Sequence, residues 1–255
     1  DKYEYLLHST PQETKKSRAI ELLTDDLQTF APDIEDDSSG KVHQVKKELY
    51  RFPNTMVDAL ADYYNLKSKS SWERIEELLE KNVLSNEGAQ ALKVLVTLRQ
   101  KLRLSVYFSH GKQKENVTDL QEHETIISEL YSRSLPFYRA MRQFLSCVKE
   151  NGCPTKAILR ERFFSDSFYI KGVIAYRQMK YLKAEELFSQ ESEKTPEYFE
   201  HFGDLKRLLG KYREAEDHYN QAISSVSDDI LLAGLHKKKG EVLKELAQMQ
   251  GDGIG

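Results

Sequence analysis

The chain has 255 residues and a formal net charge of -3, with 39% hydrophobic and 31% charged residues. An apolar fraction below the usual roughly 45–50% favours a helical protein with a large surface over a compact globule. The near-neutral charge predicts no general attraction to nucleic acid or to anionic lipid. No apolar run approaches the roughly 18 residues of a membrane span, so we expect no membrane partner.

The small number of cysteines indicates whether the protein resides in a reducing or an oxidising compartment. Cys147 and Cys153 are the two cysteines of the chain. A disulfide-stapled protein carries more, so reduced thiols in a cytoplasmic protein are expected, although the pair is able to form one disulfide. Their spacing is not Cys-x-x-Cys, and no histidine lies nearby in sequence, so no metal site is predicted there. The sequence begins without Met and without a secretory signal, and we interpret it as part of a larger protein.

Helix signals dominate the first eighty residues. Thr10–Glu13 has the pattern of a capping box with proline at the first helical position. A second helix is predicted to begin at Pro53 or Asn54. A third begins after Ser70, where a capping box precedes Trp72, which we interpret as a core anchor.

Helices also dominate the middle of the chain. The segment 85–111 predicts a long helix that ends at Gly111, with one apolar stripe formed by Ala91, Leu95, Leu98, Leu102 and Val106. Within it, Arg99–Arg103 is interpreted as the solvated face of an amphipathic helix, and 112–116 as an exposed loop. A cap at 118–121 starts a further helix, and Pro136 is predicted to start another that ends near Gly152.

The C-terminal third contains an internal repeat. The segment 180–190, KYLKAEELFSQ, matches KYREAEDHYNQ at 211–221, and one glycine recurs at the same interval as Gly172, Gly203 and Gly234. Such a period is typical of stacked helix pairs. Small residues such as Ala184 and Ala215 let two helices cross closely, and the aromatic residues fill the space between them. One hairpin cannot bury its apolar face alone, so neighbouring hairpins must stack.

This pattern resembles the tetratricopeptide repeat. The first unit carries Phe168, Gly172, Tyr181, Ala184, Phe188 and Pro196, and the second carries Phe199, Gly203, Gly210, Tyr212, Ala215, Tyr219 and Ala222. The interval is shorter than the roughly 34 residues of that family, and Glu191 stands where a small residue is usual. The third unit, from about Asp228, keeps Gly234 and loses the rest of the pattern, so it is either a cap or a degenerate repeat.

The resemblance implies a concave groove that binds another protein or a peptide segment. The groove-facing residues would be Tyr169, Val173, Tyr176, Glu200, Asp204, Arg207, Leu231, Leu235 and Lys238. Core packing is the alternative for Val173 and Leu235. Because Glu200 and Asp204 would repel an acidic tail, we expect an apolar or mildly basic segment as the partner, and not the acidic tails of heat-shock chaperones.

A second resemblance covers residues 40–110, which look like the helical C-terminal region of signalling nucleotidyltransferases. Its matching segments are Lys46–Arg51, Met56–Leu66, Ser71–Ile75 and Leu98–Leu104. In that family the chemistry lies upstream, in a Gly-Ser turn followed by an Asp-x-Asp pair. Here no such turn precedes the nearest acidic cluster, Asp33, Asp36 and Asp37, which we interpret as a solvated loop.

No other catalytic pattern is found. The chain lacks a phosphate-binding glycine loop and a Gly-x-Ser-x-Gly elbow. Its histidines are scattered and are interpreted as surface residues: His8, His43, His110, His123, His201, His218 and His236. We therefore predict no catalytic, cofactor or metal residues.

The expected fold is all-α, with a helical bundle at 1–115, connecting helices at 116–158 and a tetratricopeptide-like solenoid at 159–255. The expected function is a non-catalytic interaction scaffold, with a regulatory domain of a nucleotidyltransferase-like enzyme as the alternative.

Overall fold

The computed structural model describes residues 12–30, 43–44, 50–112, 116–117, 124–155, 157–226 and 229–251. The fold is all-α, as predicted. Within these ranges the helices are α1 Gln12–Thr29, α2 Phe52–Tyr63, α3 Ser71–Glu80, α4 Asn86–His110, α5 Glu124–Asn151, α6 Phe168–Arg177, α7 Tyr181–Ser189, α8 Pro196–Leu208, α9 Tyr212–Ser224 and α10 Asp229–Gly251. One two-residue antiparallel pair joins β1 His43–Gln44 to β2 Asn116–Val117.

Two compact units make up the chain, Asp1–Ser165 and Asp166–Gly255. The sequence-based divisions at 115 and 158 differ from this boundary, because α5 packs against α4 and α1 within the first unit. No helix in the described ranges combines the length and the apolar character needed to cross a membrane.

Aromatic rings fill the centre of the first unit. Phe52 and Phe137 meet edge to face with their centroids 5.9 Å apart, and Phe137 lies 5.1 Å from Phe163. The predicted helix starts are present: Pro53 lies in the first turn of α2. Ser70 caps α3 and accepts a hydrogen bond from the Glu73 N–H at 3.2 Å.

The prediction that Pro136 starts a helix was wrong, since Pro136 lies inside α5. A proline has no N–H to donate, so the carbonyl four residues earlier loses its helical partner. That carbonyl belongs to Ser132, and the backbone N–H of Ser165 donates to it at 2.9 Å. A tertiary hydrogen bond therefore replaces the missing helical one, which lets the helix continue through the proline.

Two further predictions for the first unit need correction. Arg99 is buried, with 3% of its surface exposed, and its guanidinium donates to the carbonyl of Tyr50 at 3.1 Å. It therefore supports the chain before α2 and does not lie on a solvated face. Trp72 is 46% exposed and is not a core anchor. Lys93 lies over its ring, with Nζ 5.6 Å from the ring centre.

The second unit contains two successive hairpins, α6–α7 and α8–α9, followed by α10. Ala184 and Ala215 are fully buried, as the repeat predicted. A Cβ atom on Gly172 would lie 2.8 Å from the ring of Phe188. The equivalent contact recurs one interval later in the second hairpin. Gly234 differs, because a Cβ atom there would have no atom within 4 Å, so the third glycine does not mark a close crossing.

Some predictions fall on parts of the chain that the structure does not describe. They are the cap at Thr10, the acidic cluster Asp33, Asp36 and Asp37, the helix start at 118–121 and most of the loop at 112–116. The predicted end of α4 is confirmed at its C-cap, because Gly111 adopts the left-handed conformation with φ +65°.

Candidate functional site

Side-chain caps fix the beginnings of the two helices that would line the predicted groove. Ser167 accepts a hydrogen bond from the Ile170 N–H at the start of α6, at 3.3 Å. Thr195 does the same for Tyr198 at the start of α8, also at 3.3 Å, and Pro196 occupies the first helical position. Each cap satisfies a free N–H in the first turn, which sets where the groove-facing positions begin.

Glu191, the departure from the tetratricopeptide pattern, has a specific structural role. Its carboxylate accepts hydrogen bonds from the N–H groups of Tyr169 at 2.7 Å, Ser192 at 2.9 Å and Glu193 at 3.0 Å. Burial opposes the charge, but these backbone donors outweigh it and lower the pKa of Glu191. The carboxylate therefore ties the loop after α7 to the positive end of α6.

The three predicted groove residues on α6 lie in the interior. Val173 is fully buried, and Tyr169 and Tyr176 are 7% and 8% exposed. The Tyr169 hydroxyl lies 2.8 Å from Nδ1 of His201, and the two rings stack with their centroids 5.7 Å apart. These side chains therefore join α6 to the hairpin core instead of presenting a surface. The interpretation of His201 as a surface residue was wrong.

Leu235, a predicted groove residue of α10, also belongs to the core. It is 2% exposed and packs in one cluster with Ala215, Tyr219, Ala222 and Val242. The core alternative is therefore the correct one for Val173 and Leu235. Leu231 lies within α10, but its side chain is outside the described part of the structure.

The four charged residues of the prediction come together between α8 and α10. Lys238 Nζ donates to Glu200 at 2.8 Å and to Asp204 at 2.9 Å. Arg207 donates to Glu241 at 3.0 Å, and the Tyr219 hydroxyl donates to Asp204 at 2.7 Å. We call this set the α8–α10 charge cluster; its members are Glu200, Asp204, Arg207, Tyr219, Lys238 and Glu241.

Burial divides the charge cluster into an inner and an outer part. The side chains of Asp204 and Lys238 are 8% and 18% exposed, whereas those of Arg207 and Glu241 are 31% and 46% exposed. Burial and the neighbouring Asp204 raise the pKa of Tyr219, so its hydroxyl keeps its proton and acts as a donor. Three carboxylates and two cations leave the cluster with an excess of one negative charge.

A second charge cluster lies where α7, α8 and α9 meet. Lys206 is 7% exposed, and its Nζ donates to Glu185 at 2.6 Å and to Glu214 at 2.5 Å. The same Nζ lies 4.8 Å from the centre of the Phe202 ring. His218 also stacks on Phe202, with a centroid distance of 4.5 Å. His218 was also interpreted as a surface residue, and its half-buried position corrects that interpretation.

Several of these residues were missed by the sequence analysis. Glu241 lies one helical turn after Lys238, so the spacing was a usable signal for a paired face on α10. Tyr219 was recognised as a packing residue, but its hydroxyl had no visible partner in sequence. Glu191 was noticed only as an exception, because its three donors come from backbone groups that no sequence pattern marks.

The charge clusters can bind by ion pairing and hydrogen bonding. Within the described residues, no group of three or more histidine, cysteine or acidic side chains is placed to hold a metal ion. No protein-family model matches the chain, and no curated protein or solved structure matches it either.

Proposed function

We propose that this chain is a non-catalytic scaffold that binds another protein through its second unit, with tetratricopeptide-like helix pairs as the framework. One observation supports this most directly. The same glycine-on-aromatic contact occurs in both hairpins, with Cβ-to-ring distances of 2.8 Å at Gly172 and at Gly203. Repeated hairpins of this kind present one helix of each pair on a common face.

The chemistry of that face favours a basic partner. The inner carboxylates of the α8–α10 charge cluster share Lys238, and the outer carboxylate of Glu241 remains 46% exposed beside Arg207. Leu208, the residue after Arg207 in α8, is an apolar side chain that is 45% exposed. With Tyr169 and Tyr176 in the interior, the partner we propose is a basic segment with apolar side chains that approaches Glu241 and Leu208.

Calorimetry with the whole chain tests this proposal. The probe is a synthetic amphipathic peptide with lysines on its polar face, compared with a version in which glutamine replaces every lysine. We expect the basic peptide to bind and the neutral one to bind more weakly. The substitution Glu241→Lys should weaken binding by about fivefold or more, equivalent to roughly 1 kcal/mol.

A matched control separates this site from general charge effects. Glu186→Lys changes the net charge equally at a position on α7 that is similarly exposed, 58% against 46% for Glu241. It should leave binding unchanged. Equal weakening by the two substitutions would contradict a site at α8 and α10, and no binding of either peptide would contradict the proposed partner chemistry.

The alternative proposal is a regulatory or substrate-holding domain of a nucleotidyltransferase-like enzyme. It is supported by the resemblance of residues 40–110, and the proposed catalytic part would lie outside this sequence. A Gly-Ser turn followed by an Asp-x-Asp pair in sequence that precedes this chain would favour the alternative. An assay for magnesium-dependent incorporation of labelled nucleotide tests a different point, whether residues 1–255 are themselves catalytic. We expect no incorporation by residues 1–255, because the sequence carries no Gly-Ser turn with an Asp-x-Asp pair. Incorporation by the purified chain would contradict both proposals, because it would require a catalytic site within residues 1–255.

A further inference from the structure

The side chain of Cys147 lies against the backbone of Cys153 at the C-terminal end of α5. The Sγ atom of Cys147 lies 3.5 Å from the carbonyl oxygen of Cys153. Gly152 reverses the chain between them: its φ is +71°, and its N–H donates to the carbonyl of Val148 at 2.9 Å. Both thiols are free, with Cys153 exposed and Cys147 partly exposed. A six-residue separation in sequence therefore becomes a contact that solvent can reach.

The surroundings of Cys147 favour its reactive form. Its sulfur lies 3.3 Å from the Thr155 hydroxyl, and the Asn151 amide donates to it at 3.7 Å. The hydrogen bonds from Thr155 lower the pKa of the Cys147 thiol, and they outweigh the opposing effects of desolvation and of Glu150. The thiolate is the nucleophilic form of cysteine, so Cys147 is the member of the pair that should react first.

The second thiol shares this environment. Both cysteines act electrostatically on the hydroxyl of Tyr63 and raise its pKa, after the larger effect of burial. Gly152 and Cys153 are exposed, so a movement of this turn that brings the two sulfurs together would displace neither of them from a packed interior. Leu159, a few residues later, is 2% exposed and anchors the far end of this segment.

We propose that Cys147 and Cys153 form a peroxide-sensitive dithiol, which closes to an intramolecular disulfide. The Cys147 thiolate attacks one oxygen of hydrogen peroxide, the O–O bond breaks and hydroxide leaves, which produces a sulfenic acid. The Cys153 thiol then attacks that sulfur, the S–O bond breaks and water leaves. Overall, the two thiols lose two electrons and two protons, and one peroxide is reduced to two waters.

Peptide mapping of the whole chain tests the product directly. Trypsin cleaves after Lys149, which is exposed and lies between the two cysteines. After treatment with hydrogen peroxide and blocking of remaining thiols, we expect the peptides with Cys147 and Cys153 to stay joined. Their combined mass should be lower by two hydrogen atoms, and dithiothreitol should separate them. Independent over-oxidation of both thiols to sulfinic acids, or disulfides only between chains, would overturn the proposal.

Three substitutions test the order of the steps. In Cys153→Ser, a sulfenic acid should accumulate on Cys147 and react with dimedone, because the resolving thiol is missing. In Cys147→Ser, Cys153 should react with peroxide severalfold more slowly. Thr155→Val should slow disulfide formation severalfold with an unchanged melting temperature, because it removes the hydroxyl beside the sulfur. Equal rates for the two cysteines would contradict the assignment of Cys147 as the attacking thiol.

Discussion

Gly203 lies directly against the ring of Tyr219: a Cβ atom on Gly203 would come within 2.8 Å of Tyr219 Cε1. Tyr219 is fully buried and its hydroxyl is held by Asp204, so the ring cannot move aside freely. We predict that Gly203→Ala destabilises the second unit by about 1–3 kcal/mol, the usual cost of overpacking a core. Urea unfolding followed by far-UV circular dichroism measures this change.

Gly234→Ala is the matched control for Gly203→Ala. The two glycines occupy equivalent places in the repeat, but a Cβ atom on Gly234 meets nothing within 4 Å. Alanine is favoured over glycine in a helix by about 1 kcal/mol, so Gly234→Ala should stabilise the chain slightly. Stabilisation by both substitutions would mean that the close crossing at Gly203 is absent in solution.

The different roles of these glycines show where sequence reasoning is reliable. The repeat predicted the burial of Ala184 and Ala215, because small residues at fixed intervals mark the positions at which two helices cross closely. The same interval marks Gly234, in the third unit that was interpreted as a cap or a degenerate repeat, and within the described residues no second hairpin helix packs closely against it. The sequence interval is preserved at Gly234, but the neighbour that would require a glycine is missing. A pattern in one chain cannot show which neighbour each position meets.

Glu191 provides a prediction on capping. Its carboxylate is 8% exposed and accepts three backbone N–H groups. Glu191→Ala would leave the Tyr169 N–H without its partner, and an unsatisfied buried donor costs about 1–3 kcal/mol. Glu193→Ala, at an exposed neighbouring position, should change stability by less than about 0.5 kcal/mol. Similar losses in the two variants, measured by urea unfolding, would show that the buried carboxylate has no special role.

His218 provides a prediction on pH. Burial lowers the pKa of its imidazole, with Lys206 as the next cause, while Glu214 and Asp217 act in the opposite direction. Nδ1 is buried, and no described residue forms a hydrogen bond with it. The unfolded chain therefore binds a proton more readily than the folded one below pH 6.5. Stability contributed by neutral His218 is fully present above that pH and is lost as the pH falls through the folded pKa.

The substitution His218→Phe isolates this effect. It keeps a ring against Phe202 and removes the titrating group. Between about pH 7 and pH 5, the parent should lose more unfolding free energy than the variant, with a difference in slope of at most about 1.4 kcal/mol per pH unit. Carboxylates with lowered pKa values, such as Glu185 and Glu191, titrate at lower pH. Parallel curves for the two proteins in this window would show that His218 is not the group responsible.

The candidate site was predictable in position but not in exposure. The resemblance to the tetratricopeptide repeat placed Glu200, Asp204, Arg207 and Lys238 on one face, and the structure joins them between α8 and α10. It also placed Tyr169 and Tyr176 there, where both are buried. Helical spacing defines a direction from the helix axis, whereas burial depends on which helix packs next. Burial is determined by contacts between residues that are far apart in sequence, and the spacing of residues within one helix does not predict those contacts.

The charge cluster leads to a prediction about acidic ligands. A peptide with a free C-terminal carboxylate and acidic side chains needs cationic donors that are not already neutralised. Lys238 already donates to Glu200 and Asp204, and Arg207 already donates to Glu241. An acidic peptide would have to displace these carboxylates and would leave them close together and without their cation. We predict that it binds with a dissociation constant weaker than about 10 μM, equivalent to roughly -7 kcal/mol, in calorimetry with the whole chain.

Glu241→Gln, which releases Arg207 from its carboxylate, should strengthen binding relative to the parent, because it removes the excess negative charge. Weak binding that disappears with modest salt is compatible with this prediction, since exposed lysines alone produce such binding. A salt-resistant dissociation constant below about 10 μM for the parent would mean that the ion pairs between α8 and α10 open for a ligand, and the proposed preference for a basic partner would be wrong.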